Sequence, residues 1–249
     1  FNAVAYNEDL DQIALSSRFH DEIYIIDHST TTEEAAGHTG GNSGMGGDFL
    51  YRWGNPHSYN RGGDLDRVLD DQHSVNWIPE GYPGEGNLIL FNNNYGLNSA
   101  VFEIVTPINE DGTYSISPGQ PYGPIEPIWI HTGPFHTQMQ GGAFRLPNGN
   151  TLITDCNDAT IFEVTYDHDI VWANDFSSGA GPSFIARAQK YSMDYLGGED
   201  SDYIHGDVNF DSLVNLQDGL MVSDMASGFG YAPNSQADFN DNGAVSVDD

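Results

Sequence analysis

Positive charge is almost missing from this chain of 249 residues. Seven basic residues, Lys190 the one lysine among them, stand against 37 acidic ones, for a formal charge of −30. Such a chain repels a phosphate backbone, which excludes nucleic acid as a partner. It also repels itself unless cations screen or bind the carboxylates, so salt or divalent metal belongs to its expected working environment. Cysteine is nearly absent as well. With Cys156 alone, neither an intrachain disulfide nor a thiolate metal cluster can form. No apolar run reaches the roughly 18 residues that cross a bilayer, and the opening FNAVAYNEDLD does not read as a signal peptide.

Helix formers are scarce, whereas the 29 glycines come with abundant Asn, Thr, Tyr and Phe, the composition of strands joined by tight turns. A mostly β fold is therefore expected. Three stretches share one internal pattern of strand, turn, strand and strand: residues 2–27, 73–107 and 141–165. Matching Asp11 to Gly86 and Gly149 gives offsets of 75 and 63 residues, a long and regular repeat. Fourth strands are expected at 48–54, 126–132 and 169–175, where Trp53, Trp129 and Trp172 recur. Four antiparallel strands per repeat make a propeller blade, with each outer Trp packed against the next blade. The segment LPNGNTL (146–152) carries the Asn-Gly hairpin signal, which demands positive φ. Three blades cannot close a ring without exposed sheet edges, so the expectation is a partial β-propeller, completed by upstream blades or by other copies. The blades are expected over residues 1–196, ending in a closing strand or short helix at FIARAQKY (184–191), and a linker over 197–206.

The remaining residues, 207–249, hold a doubled spacing. DVNFDSLVNLQD (207–218) and DFNDNGAVSVDD (238–249) each place oxygen side chains at positions 1, 3, 5 and 12. These are Asp207, Asn209, Asp211 and Asp218, then Asp238, Asn240, Asn242 and Asp249. A hard cation takes six to eight oxygens, and a tight loop adds a backbone carbonyl at position 7, here Leu213 and Ala244. Ca²⁺ is the cofactor this pattern expects, in a small helical calcium-loop module. The pair of loops, 31 residues apart, resembles a type I dockerin. That resemblance implies a cohesin-like domain as partner, with other copies of the same protein as the alternative.

A second resemblance covers residues 2–195. LSSR (15–18), the YRWGNP segment (51–56), DQHSVNW (71–77) and RLPNGNTLIT (145–154) are together similar to the arylsulfotransferase family of β-propeller enzymes. The resemblance implies an active site in the central funnel and a phenolic sulfate substrate. It assigns His73 as the nucleophile that takes the sulfuryl group and Arg18 as the guanidinium that steadies the sulfate oxygens. Ser74 follows His73 where an acidic residue is expected. The residue chemistry agrees, since a neutral imidazole is nucleophilic near neutral pH and a guanidinium offers a fork of donors. Among the other histidines, His20 and His28 are expected at the surface or in turns, and His38 lies in a Gly-rich loop. His131 and His136 fall at a blade junction, His136 being the better accessory catalytic group.

Two functions thus stand side by side at the level of sequence. One is a secreted sulfuryl-transfer enzyme carrying a calcium module for assembly. The other is a non-catalytic extracellular structural or binding propeller that assembles with calcium. Export, to the periplasm or beyond the cell, is expected on both, because weak calcium loops stay empty in a cytosol.

Overall fold

The structure is a computed structural model that describes residues 1–177, 184–192 and 195. Two compact units divide the chain, Phe1–Lys190 and Tyr191–Asp249. The calcium-loop residues expected at 207–249, from Asp207 to Asp249, lie outside the described residues, as does the linker expected at 197–206.

Among the described residues twelve strands form three antiparallel sheets in simple up-and-down order. Sheet 1 holds β1 (Ala3–Asn7), β2 (Gln12–Ser17), β3 (Glu22–Asp27) and β4 (Tyr51–Trp53). Sheet 2 holds β5 (His73–Trp77), β6 (Leu88–Tyr95), β7 (Asn98–Ile104) and β8 (Trp129–Thr132). Sheet 3 holds β9 (Gly142–Arg145), β10 (Thr151–Asp155), β11 (Thr160–Val164) and β12 (Ile170–Asp175). Among the described residues helix is confined to short turns, the α-helical one being α1 (Thr32–Ala35) with a Thr31/Glu34 capping box. The mostly β expectation and the three four-stranded repeats are what the chain forms.

The repeat has a local cause. Asp11, Gly86 and Gly149 all take positive φ (49°, 79° and 88°) and stand just ahead of the second strand of their sheets. In the third hairpin only Gly149 is left-handed. Its N–H bonds to the Leu146 carbonyl at 2.9 Å, which closes a longer turn than the two-residue Asn-Gly form.

The sheets pack in series, with sheet 2 in the middle. One core joins Ala14, Ile25, Tyr51 and Trp53 of sheet 1 to Leu88, Leu90 and Phe102 of sheet 2. A second joins Ile89, Phe91, Val101 and Trp129 to Ile153, Phe162 and Val164 of sheet 3. The first strands β1, β5 and β9 are near neighbours, so their ends converge. The outer-strand tryptophans behave as their positions predict in two cases. Trp53 (2 % exposed) donates its indole N–H to the Pro124 carbonyl at 2.7 Å, and Trp129 (4 %) to the Tyr166 carbonyl at 2.8 Å. Trp172 departs from the pattern: it is 44 % exposed, on a strand whose every residue is exposed, with Lys190 5.8 Å from its ring centre. No fourth sheet covers it among the described residues. The segment expected as a closing strand or helix, 184–191, forms neither. Residues 184–190 instead run as an irregular strap over sheet 3, with the Ala186 carbonyl accepting from Gly141 N–H (3.0 Å) and Ala188 N–H donating to Thr154 Oγ1 (3.0 Å).

Candidate functional site

The site is built where β2 leaves sheet 1 and β5 enters sheet 2. β2 ends on Ser16 and Ser17, both buried, and the chain turns through Arg18–His20 to Asp21, whose φ of 56° sends it back into β3. Opposite lies Asp71-Gln72-His73, with Asp71 also left-handed at 58°. The two segments are far apart in sequence and in direct contact in space. Gln72, fully buried, donates through Nε2 to Ser16 Oγ (3.1 Å), the Ser17 carbonyl (3.2 Å) and the Glu22 carbonyl (2.8 Å). Arg18 donates to Asp71 Oδ2 at 2.8 Å and to the Gln138 carbonyl at 3.2 Å. Because these bonds tie sheet 1 to sheet 2 and to the loop before β9, the Ser-Ser-Arg and Gln-His elements form an inter-sheet clasp.

His73 has a defined protonation state. Its Nδ1 lies 2.9 Å from the Asp71 carbonyl and 2.8 Å from Asn93 Oδ1, both acceptors. The amide of Asn93 is oriented by its own two donations, to the Thr137 and Gln140 carbonyls at 2.9 Å each. Nδ1 therefore carries the proton, and Nε2 accepts the Gln140 backbone N–H at 3.2 Å. Burial lowers the pKa of the ring, opposed by the bonds to Asn93 and Asp71 and reinforced by the nearby Arg18 charge. The imidazole is neutral, and both of its nitrogens have protein partners.

Arg18 and His73 thus meet around Asp71, as the sequence expects of a shared pocket, but they point to different partners. A polar cavity of about 360 Å³ is lined by Asn2, His73, Ser74, Gln140, Gly141 and Arg187 among others, and Arg18 is not among its lining residues. His136 is also elsewhere, exposed, with Nε2 3.3 Å from Asn94 Oδ1. His20, His28 and His38 sit at the periphery beside Tyr24, Asp11 and Asp48. His131 is buried in a stack with Trp129, Phe135 and His168, where burial and then the neighbouring His168 push its pKa down to about 4.

Asp21, Asp70 and Asp71 gather within 4.8 Å, and Arg67 and Arg18 neutralise them, through bonds of 2.7 Å to Asp21, 3.2 Å to Asp70 and 2.8 Å to Asp71. A second, more apolar cleft of about 430 Å³ opens on the outer face of sheet 1. It lies between Phe1, Phe19, Tyr24, Phe49 and Arg52, with Tyr24 and Phe49 stacked at 4.3 Å.

Sequence reasoning passed over Asn2, Asn93 and Arg187, and it noted Ser74 only as a departure from the expected residue. The scarcity of cations was the available signal for Arg187. Nothing local marks Asn2 or Asn93, whose roles depend on the folding-together of distant loops.

No family model matches the chain, and no curated protein matches it. Among solved structures, that of a protein of unknown function from Bacteroides caccae is similar at 13 % identity with a TM-score of 0.38. The likeness covers 70 % of this chain and 45 % of that one, so the chain spans less than half the neighbour's length.

Proposed function

We propose that the three sheets are blades of a β-propeller acting as a non-catalytic extracellular binding or structural scaffold. On this reading residues 207–249 bind Ca²⁺ as a dockerin-like module that joins a cohesin-like domain or other copies. One observation carries the non-catalytic part: the residues with the clearest catalytic pedigree are used up in holding the sheets together. The lone pair on His73 Nε2 is directed at the Gln140 N–H, and the Arg18 guanidinium holds Asp71 and Gln138. A nucleophile needs a free lone pair facing its electrophile, and a group that stabilises a transferring sulfuryl needs free donors.

Sulfuryl transfer remains the second reading, favoured by the neutral state of His73 and its place on the wall of a polar cavity. It requires Nε2 to leave Gln140, attack the ester sulfur as the phenolate departs, and pass the group to a second phenol. The experiment is a transfer assay with 4-nitrophenyl sulfate and phenol, run beside thermal unfolding of His73→Ala. The scaffold reading expects no transfer by the unaltered protein and a clear loss of melting temperature in the variant. Transfer that disappears in a variant with unchanged melting temperature would establish the enzyme instead.

A further inference from the structure

The cavity beside His73 contains more unsatisfied polar chemistry than a packing defect would. Ser74 is 3 % exposed, and its Oγ has no hydrogen-bond partner among the described residues. A buried hydroxyl without a partner costs on the order of 1–3 kcal/mol. Ser74 also holds φ at +59°, a left-handed conformation unusual for a residue other than Gly, Asn or Asp. Two costs fall on one residue that faces the cavity. Asn2 adds a third, for its Nδ2 donates to the Gln72 carbonyl at 2.8 Å while Oδ1 is buried and unpartnered.

Arg187 supplies the charge. Arg18, Arg52, Arg67, Arg145 and Lys190 each hold a carboxylate. Among the described residues Arg61 and Arg187 hold none, and of the two Arg187 is the one that lines the cavity, its guanidinium 5.7 Å from the Phe144 ring centre. Gly142 makes room for this arrangement. A Cβ built there would fall 2.7 Å from Arg187 Cγ and 3.2 Å from Ser74 Oγ, so a larger residue would displace the two side chains.

The set consists of a guanidinium fork, a hydroxyl and one lone acceptor. An acceptor-only anion such as sulfate satisfies the first two and confronts Asn2 Oδ1 with a repulsive oxygen. A ligand that carries an anionic oxygen pair next to a hydroxyl satisfies all three. We propose that this cavity is a binding site for a small hydroxycarboxylate, such as a sugar acid, with Arg187 and Ser74 on the carboxylate and Asn2 accepting from the adjacent hydroxyl. Gln140 keeps His73 in place behind the ligand, and no bond to His73 is made or broken. The sulfuryl-transfer reading uses the same cavity, and the two are distinguished by equilibrium binding without turnover.

The test is isothermal titration calorimetry of the full chain with D-gluconate, D-glucose and inorganic sulfate at equal ionic strength. Gluconate is expected to bind more tightly than either of the others. Arg187→Gln removes the charge-assisted pair and is expected to weaken gluconate roughly tenfold or more. Ser74→Gly separates function from structure. Glycine adopts positive φ without strain and removes the orphaned hydroxyl, so the melting temperature rises while gluconate affinity falls. Sulfate binding as tightly as gluconate overturns the role of Asn2. Equal affinities in the Arg187→Gln variant, or no heat with any of the three probes, overturns the site.

Discussion

Single residues in this protein are set by what lies opposite them in another sheet. His131 shows it most clearly. Stacked between aromatic rings and held next to His168, it stays neutral down to about pH 4 in the folded chain, whereas an unfolded histidine titrates near 6.5. Its folded pKa is the depressed one, so the unfolded state takes up more protons between those values, and stability falls as pH drops from about 6.5 toward 4. The loss attributable to this one ring is on the order of 2–3 kcal/mol. His131→Phe keeps the stack and removes the proton site. Its stability is expected to be flatter than that of the unaltered protein over this range, measured by urea unfolding at several pH values. The difference between the two proteins cancels the titration of the acidic surface, and parallel profiles would refute the assignment.

Ser-Ser-Arg and Gln-His were conspicuous in the sequence as a pair, and the pair is real in space. What the residues alone could not tell is the use of each atom. An imidazole with a free lone pair and one whose lone pair meets the Gln140 N–H look identical in sequence. Asn93, which sets the tautomer of His73, sits in a run of three asparagines, where nothing separates it from Asn92 or Asn94.

At the scale of elements, the outer strands carry the same residue in different circumstances. Trp129 is buried between sheets 2 and 3 and donates to the Tyr166 carbonyl, so Trp129→Ala opens a cavity and orphans an acceptor. A cost of about 3–5 kcal/mol is expected. Trp172 occupies the matching place on sheet 3 with no sheet over it among the described residues, and Trp172→Ala is expected to cost about 1 kcal/mol or less. Chemical unfolding of the two variants checks the contrast. Equal losses would mean that Trp172 is packed as firmly as Trp129. The strand and turn pattern was legible because each hairpin has its own local determinants, alternation and a positive-φ residue at Asp11, Gly86 or Gly149. The strap at 184–190 is not legible in the sequence, for the opposite reason. Its bonds go to Gly141, Thr154 and Cys156, partners that a local pattern does not contain.

For the molecule as a whole, charge is the governing term. A formal −30 on 249 residues is self-repulsive at a Debye length of about 30 Å in dilute buffer and far less so at about 8 Å in physiological salt. Added NaCl is therefore expected to raise the melting temperature. If the loops at 207–249 bind calcium as proposed, Ca²⁺ at about 1 mM should act beyond its ionic strength, and Mg²⁺ at the same level should not reproduce it. Asp207→Ala combined with Asp238→Ala should remove the specific part. Superimposable melting curves in Ca²⁺ and Mg²⁺ would end the calcium proposal, and EDTA without effect would do the same. None of the helices among the described residues is long and apolar enough to cross a membrane.

Its sequence alone determined the β class of the chain, its three fourfold repeats, a positive-φ turn within 146–152 and two of the three outer-strand tryptophans that join one sheet to the next, Trp53 and Trp129. All of these follow from periodicity and from backbone preferences that act over a few residues. Only the tertiary structure decided that Arg18 is held by Asp71, that His73 is neutral with both nitrogens engaged, and that Asn2, Ser74 and Arg187 surround one cavity. These residues are separated by tens to more than a hundred positions, and their chemistry is set by distances of about 3 Å that no local rule can supply.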